Sequence, residues 1–298
     1  MIRSCFRLFA IVSLICGIAS CSSYHDDAPD ASEERSQLTD VTITFTDLDI
    51  NIVPDVSRAT ASEAKLSRIL LTIFDASGNS VYTTTQTSSD ANFGTISTPL
   101  HVGSYTFSAV AVGSTESTVA IADNATATFS SNPPFATYST TKEVTIAGNS
   151  SQEVTMAFGK RITTTLGITI TDDTPSEVQK MQIIVSPSAS KPTSYSIAPS
   201  TGFASDTWRY ERTIEKATTF TGTKYGLMFF LTSATQQLDF TVNMLSATGE
   251  VLYTRTKTGV TFNKSASTNA TGTFFSSTSG ITFTFDTADP PATEISLN

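Results

Sequence analysis

Val41-Thr-Ile43-Thr-Phe45 alternates apolar side chains with threonine, and this period of two returns in segment after segment along the chain. A strand shows successive side chains to opposite faces, so such alternation marks a β-strand with one face covered and one face wet. After Phe45 the phase slips: Leu48, Ile50 and Ile52 now alternate with Asp47, Asp49 and Asn51, and a bulge near Thr46 reconciles the two halves. Further apolar or alternating runs occupy residues 69–74, 104–112, 125–129, 143–148, 153–158 and 162–170. The second half adds 181–186, 224–233, 238–245, 250–256, 259–262 and 280–285. No segment carries the period of a long amphipathic helix. Many short strands separated by turn residues predict an all-β chain of antiparallel β-sandwiches.

The strand-rich part is longer than one ordinary sandwich, which predicts two domains, 41–158 and 159–298, meeting at the polar turn Gly159-Lys160. A faint repeat runs across them: ASGNSVYTTTQT from Ala76 matches ATGEVLYTRTKT from Ala247, with Gly78 on Gly249 and Tyr82 on Tyr253. A duplicated domain explains it, and so do two independent hairpins that use the same turn chemistry.

The N-terminus is of another kind. Arg3 and Arg7 precede an apolar stretch from Leu8 to Ile18, too short for the roughly 20 residues that span a bilayer, and Ala19-Ser20 lead to Cys21. This reads as a signal peptide over 1–20. Ile18-Ala19-Ser20-Cys21 resembles a bacterial lipobox, which implies acylation of Cys21 and its exposure as the first mature residue. Cys5 and Cys16 leave with such a signal, so the mature chain holds no disulfide and no thiol chemistry. Residues 21–40, rich in Ser, Asp, Glu and Ala, form a flexible acidic tether. Within it His25-Asp26-Asp27 is read either as a short acidic signal for surface export or as plain solvated linker.

Loss of Arg3 and Arg7 leaves 16 basic residues against 27 acidic ones. Phosphate backbones repel such a chain, so no nucleic-acid partner is expected. Catalytic chemistry is also poorly provided for. His101 is the only histidine outside the tether, it lies between Leu100 and Val102 at a strand boundary, and neither a G-x-S-x-G nor an H-E-x-x-H motif occurs. The expectation is no enzyme, no cofactor and no metal. Asp47, Asp49 and Asn51 have the opening spacing of a calcium loop, but Ile52 and Arg58 stand where that loop needs glycine and glutamate. Asp172 and Asp173 read as the start of the turn before Pro175.

Trp208, the single tryptophan, and Tyr210 share a face if they lie on one strand. They form either an aromatic platform for a sugar ring or an aromatic pair of the core. The first reading makes the chain a surface glycan-binding lipoprotein.

KLSRILLTIFDASGNSVY, then ISTPLHVGSYTFSAVAVGS with its L-x-x-G-x-Y spacing, then VTMAFGKRITTTLGITI with a basic residue opening the second domain, together resemble the fimbrillin superfamily of lipoproteins. That resemblance implies two transthyretin-like sandwiches, a lipid anchor in the outer membrane, other fimbrial subunits as partners, and a role as pilus subunit or membrane anchor through β-strand complementation. It also implies a protease site in the loop after the first strand, for which Arg58 and Ala59 in PDVSRATAS match. Cutting there releases the strand over 41–53; the alternative is an ordinary loop arginine in an anchor that is never cut. After residue 286 the chain offers only TADPPATEISLN, short and broken by prolines, which suits a subunit that accepts a strand without giving one.

Overall fold

The computed structural model describes residues 37–48, 66–113, 118–131, 136–148, 150–276 and 284–286. All the regular structure among them is β, in five sheets. Two sheets make the first half. In one, β1 (Leu38–Thr46) lies between β4 (Thr95–His101) and β9 (Gln152–Ala157). In the other the order is β3 (Ser80–Thr87), β2 (Arg68–Asp75), β5 (Gly103–Val112), β8 (Thr137–Ile146). Their facing sides share one core that includes Val41, Ile43, Phe45, Ile69, Leu71, Ile73, Phe107 and Phe158.

The second half repeats this plan. One sheet runs β15 (Lys224–Phe229), β10 (Thr164–Ile170), β18 (Ser267–Gly272), β19 (Thr284–Asp286). The other runs β14 (Tyr210–Glu215), β11 (Lys180–Val185), β16 (Thr235–Leu245), β17 (Val251–Asn263). The connectivity is that of the first half: β10 pairs antiparallel with β15 and parallel with β18, as β1 pairs antiparallel with β4 and parallel with β9. In the partner sheet β11 sits between β14 and β16, as β2 sits between β3 and β5, and β17 flanks β16 as β8 flanks β5. The opening strands even keep a common pattern: Ile43-Thr-Phe45-Thr-Asp47 against Ile168-Thr-Ile170-Thr-Asp172.

The connectivity is therefore repeated, but the hairpins matched in sequence are not counterparts within it. The Ala76 segment joins β2 to β3, and the Ala247 segment joins β16 to β17, whose topological equivalent is the β5 to β8 step. What the two hairpins share is turn chemistry. Gly78 and Gly249 adopt φ of 81° and 91°, each donates its N–H back across the turn, to Asp75 and Ser246, and each hairpin has a bulge just before it.

Each half also carries an insertion, and the two insertions pair with one another. β6 (Val119–Asp123) and β7 (Thr126–Phe129) lie between β5 and β8; β12 (Tyr195–Ala198) and β13 (Phe203–Ala204) lie between β11 and β14. Together they form a fifth sheet, ordered β13-β12-β7-β6, in which Tyr195 faces Phe129 and Ile197 faces Ala127. This sheet covers the second face of β2 and β5. Leu70, Phe74, Val110 and Val112 accordingly belong to the same core as Phe229, Phe240 and Phe262 of the second half. Burial on both faces is why β2 and β5 read as unbroken apolar runs rather than alternations. Thr72 and Ser108, trapped within them, keep hydroxyl partners in Thr83 and Thr141.

Candidate functional site

The element with functional potential is the slot that β1 occupies. β1 is the middle strand of its sheet, with residues 38–44 paired to β4 and 41–46 paired to β9. Its alternation works as the sequence indicates: Val41 and Ile43 are fully buried, Phe45 is 4% exposed, and Thr42 faces outward with its hydroxyl 3.3 Å from that of Ser97. Each buried apolar side chain of this size contributes about 1.5–3 kcal/mol, so β1 is a major part of the first core.

Phe45 lies flat against Phe158, with ring centroids 5.2 Å apart and planes 10° apart. Its N–H donates to the Gly94 carbonyl at 2.8 Å. At the other end Thr39 Oγ1 donates to the Ala147 carbonyl, and Val102 N–H to that of Gln37. β1 ends at Thr46 and Asp47 follows with a φ of 63°; of the residues that carry the second phase, 49–52 lie outside the described residues. Leu48 then packs back against the first core and sits over Gly94, where a Cβ would meet its Cδ1. Residues 49–65, including Arg58 and Ala59, lie outside the described residues, as does Cys21. An empty β1 slot would present two unpaired strand edges and three apolar gaps.

The other sequence expectations resolve differently. Trp208 and Tyr210 do share a face, but it is the inner one. Tyr210 is 1% exposed and stacks on Tyr195 at 4.9 Å, while Trp208, 9% exposed, meets Tyr195 edge-on at 5.7 Å. Burial pushes the Tyr210 hydroxyl far above its ordinary range, as expected of a ring shut away from water. The sugar-platform reading is thereby corrected: both rings are spent on the second core. His101 closes β4 with its side chain exposed, and its carbonyl accepts the Tyr105 hydroxyl. Among the described residues no three His, Cys, Asp or Glu side chains come together as a metal site.

Asp172 does more than open a turn. Its carboxylate accepts the backbone N–H groups of Phe274, Phe275 and Ser276 at 2.7, 2.6 and 2.7 Å. Burial opposes its ionisation, yet these donors outweigh it and hold the carboxyl below its ordinary range.

A profile of the fimbrillin-A associated anchor proteins Mfa1 and Mfa2 matches residues 29–298. The chain belongs to this family. As an Mfa1/Mfa2-family protein it is a fimbria-associated, cell-surface component and not an enzyme. Among solved structures it is similar to the fimbrial anchor protein Mfa2 from Porphyromonas gingivalis, at 10% identity and a TM-score of 0.48, over 84% of this chain and 98% of that one. It is also similar to a fimbrial assembly protein from Parabacteroides distasonis, at 11% identity and a TM-score of 0.41, over 84% and 95% of the two chains. No curated protein matches it.

Two features of this family member escaped the sequence reading. Phe158, the last residue of the alternating run 153–158, stacks on Phe45, a pairing that alternation along one strand does not reveal. The tetrapeptide Ile43-Thr-Phe45-Thr46 also recurs letter for letter at residues 281–284, a direct signal that the C-terminal segment carries the side-chain pattern of β1.

Proposed function

We propose that this Mfa1/Mfa2-family chain is an outer-membrane lipoprotein, acylated at Cys21, that holds a neighbouring fimbrial subunit by accepting a β-strand in the β1 slot. The observation that carries this reading is the position of β1, central in its sheet and held by neighbours on both edges, with three side chains filling the first core. A strand so placed leaves a receptive groove when it departs, and a donor gains a ladder of backbone hydrogen bonds on each side. β19 is engaged in cis on β18, which suits a subunit that accepts rather than gives. A second reading, a subunit that also gives its C-terminal strand, is favoured by the repeated tetrapeptide at 281–284.

Incubation with an arginine-specific protease tests the slot. The expected result is a single cut that yields Ala59 as a new N-terminus, after which an added peptide of residues 41–53 competes with a fimbrial subunit for the protein. A chain that resists the protease and binds subunits regardless would move the contact away from the slot. Cys21→Ala tests the anchor. The variant is expected to leave the membrane fraction, because several acyl chains at about 0.8 kcal/mol per buried methylene hold the native form there. Retention of the variant in membranes would overturn lipid attachment at this residue.

A further inference from the structure

The chain enters and leaves each half through neighbouring parallel strands. β1, the first strand of the first half, pairs parallel with β9, its last, through six residue pairs from Val41↔Gln152 to Thr46↔Ala157. β10, the first strand of the second half, pairs parallel with β18 through six more, from Thr165↔Ser267 to Ile170↔Gly272. Only residues 158–163 separate β9 from β10. The start of one parallel strand and the end of its neighbour lie at opposite ends of their ladder. A pull between the start of β1 and the end of β9 therefore runs along both strands and shears them, and a pull between the start of β10 and the end of β18 does the same.

Shear and peeling differ in what must break first. Peeled from one end, a ladder loses its hydrogen bonds one after another; sheared, it stretches them together. The side chains stiffen the sheared ladder further. A slip of one residue would turn Val41, Ile43 and Phe45 out of the first core, or Leu166, Ile168 and Ile170 out of the second. Neither strand can creep, so each ladder fails as a whole.

Each ladder also carries a tie at the end where the chain leaves. Phe158, next after β9, stacks on Phe45 of β1. Beyond β18, the N–H groups of Phe274, Phe275 and Ser276 are held by Asp172, two residues past β10. An aromatic stack and a carboxylate thus occupy the same place in the repeated plan. Between the ladders the Ile162 N–H donates to the Thr137 carbonyl, and β7 pairs with β12, so the short link does not carry a pull alone.

We propose that the two parallel ladders are clamps in series that keep the protein folded under tension applied between the β1 slot and the C-terminal side of β18. This role rests on the second reading of the function, in which the C-terminal strand is given to a neighbour, because tension then enters at the slot and leaves beyond β18. The measurement that tests it needs neither lipid nor a fimbrial partner. Loss of that reading would leave the measurement untouched, and a failed clamp would leave strand donation standing.

Optical tweezers, applied to the mature chain with Cys21→Ser and with handles on pairs of introduced cysteines, read the dependence on direction. Leu38→Cys/Lys160→Cys shears the first ladder, and Lys160→Cys/Ser276→Cys shears the second. Leu38→Cys/Ser151→Cys puts both handles at one end of the first ladder and peels β9 from β1. All four positions are exposed, so each variant is expected to keep the native thermal midpoint. Forced unfolding follows the unfolding barrier, and at equal loading rate each shearing pair is expected to need at least double the force of the peeling pair. A peeling pair as strong as the shearing pairs, or either shearing pair as weak as the peeling one, would overturn the proposal.

Discussion

Phe129→Ala is expected to lower stability by about 3–5 kcal/mol and to divide one cooperative thermal transition into two. Phe129 is 1% exposed at the end of β7, its ring lies 5.0 Å from that of Phe230, and across the shared sheet it faces Tyr195. It thus belongs to the second core while its strand covers β2 and β5 of the first half. Alanine leaves a cavity at a place where the halves share side-chain packing and backbone pairing together. Differential scanning calorimetry reads both effects, as a lower midpoint and a split endotherm. A single transition shifted by less than about 1 kcal/mol would show that the shared sheet contributes little to the coupling.

Asp172→Ala is expected to destabilise by about 3 kcal/mol, because three charge-assisted hydrogen bonds vanish together and the Phe274 N–H loses its partner. Phe274 is fully buried and Phe275 lies edge-on to Tyr253 at 5.3 Å, so the loss reaches the aromatic packing of residues 274–275. Asp172→Asn, which keeps one acceptor oxygen, is expected to lose about half as much. The folded-state carboxyl titrates below its ordinary value of about 3.9, so its contribution is complete above that pH and fades as the pH falls through the lowered value. Hydrogen exchange of residues 274–276, followed for native and variant protein at neutral and acid pH, checks both points. Equal protection in native and variant protein would refute the clamp.

Sequence alternation made β1 legible, because a strand covered on one face and wet on the other writes its burial directly into the order of its residues. The same signal fails where both faces are covered. Residues 69–74 and 104–112 announced strands, but an apolar run does not say what lies on either side of it, and the shared sheet that covers them was not foreseen. Of its strands only β7 fell within a run that alternation marked, residues 125–129, while β13 has two residues, too few for any periodicity to register. Trp208 and Tyr210 show a related limit. Spacing placed them on one face, and only the packing of Tyr195 against both revealed that the face is internal. The duplication, too, was sought in turns, where glycine chemistry converges, rather than in the opening strands, where Ile43 to Asp47 and Ile168 to Asp172 preserve it.

The shared sheet also sets an order of events during synthesis. β7 finds β12 only when the chain has grown well past Phe158. Until then β2 and β5 have a finished core on one side and, on the other, Leu70, Phe74, Val110 and Val112 with only the short β6-β7 ribbon to cover them. The first half is thus a late-completing unit. Its nascent form carries an adhesive apolar flank, and the interval before residues 195–204 emerge is when the chain most needs a chaperone to keep that flank from another molecule.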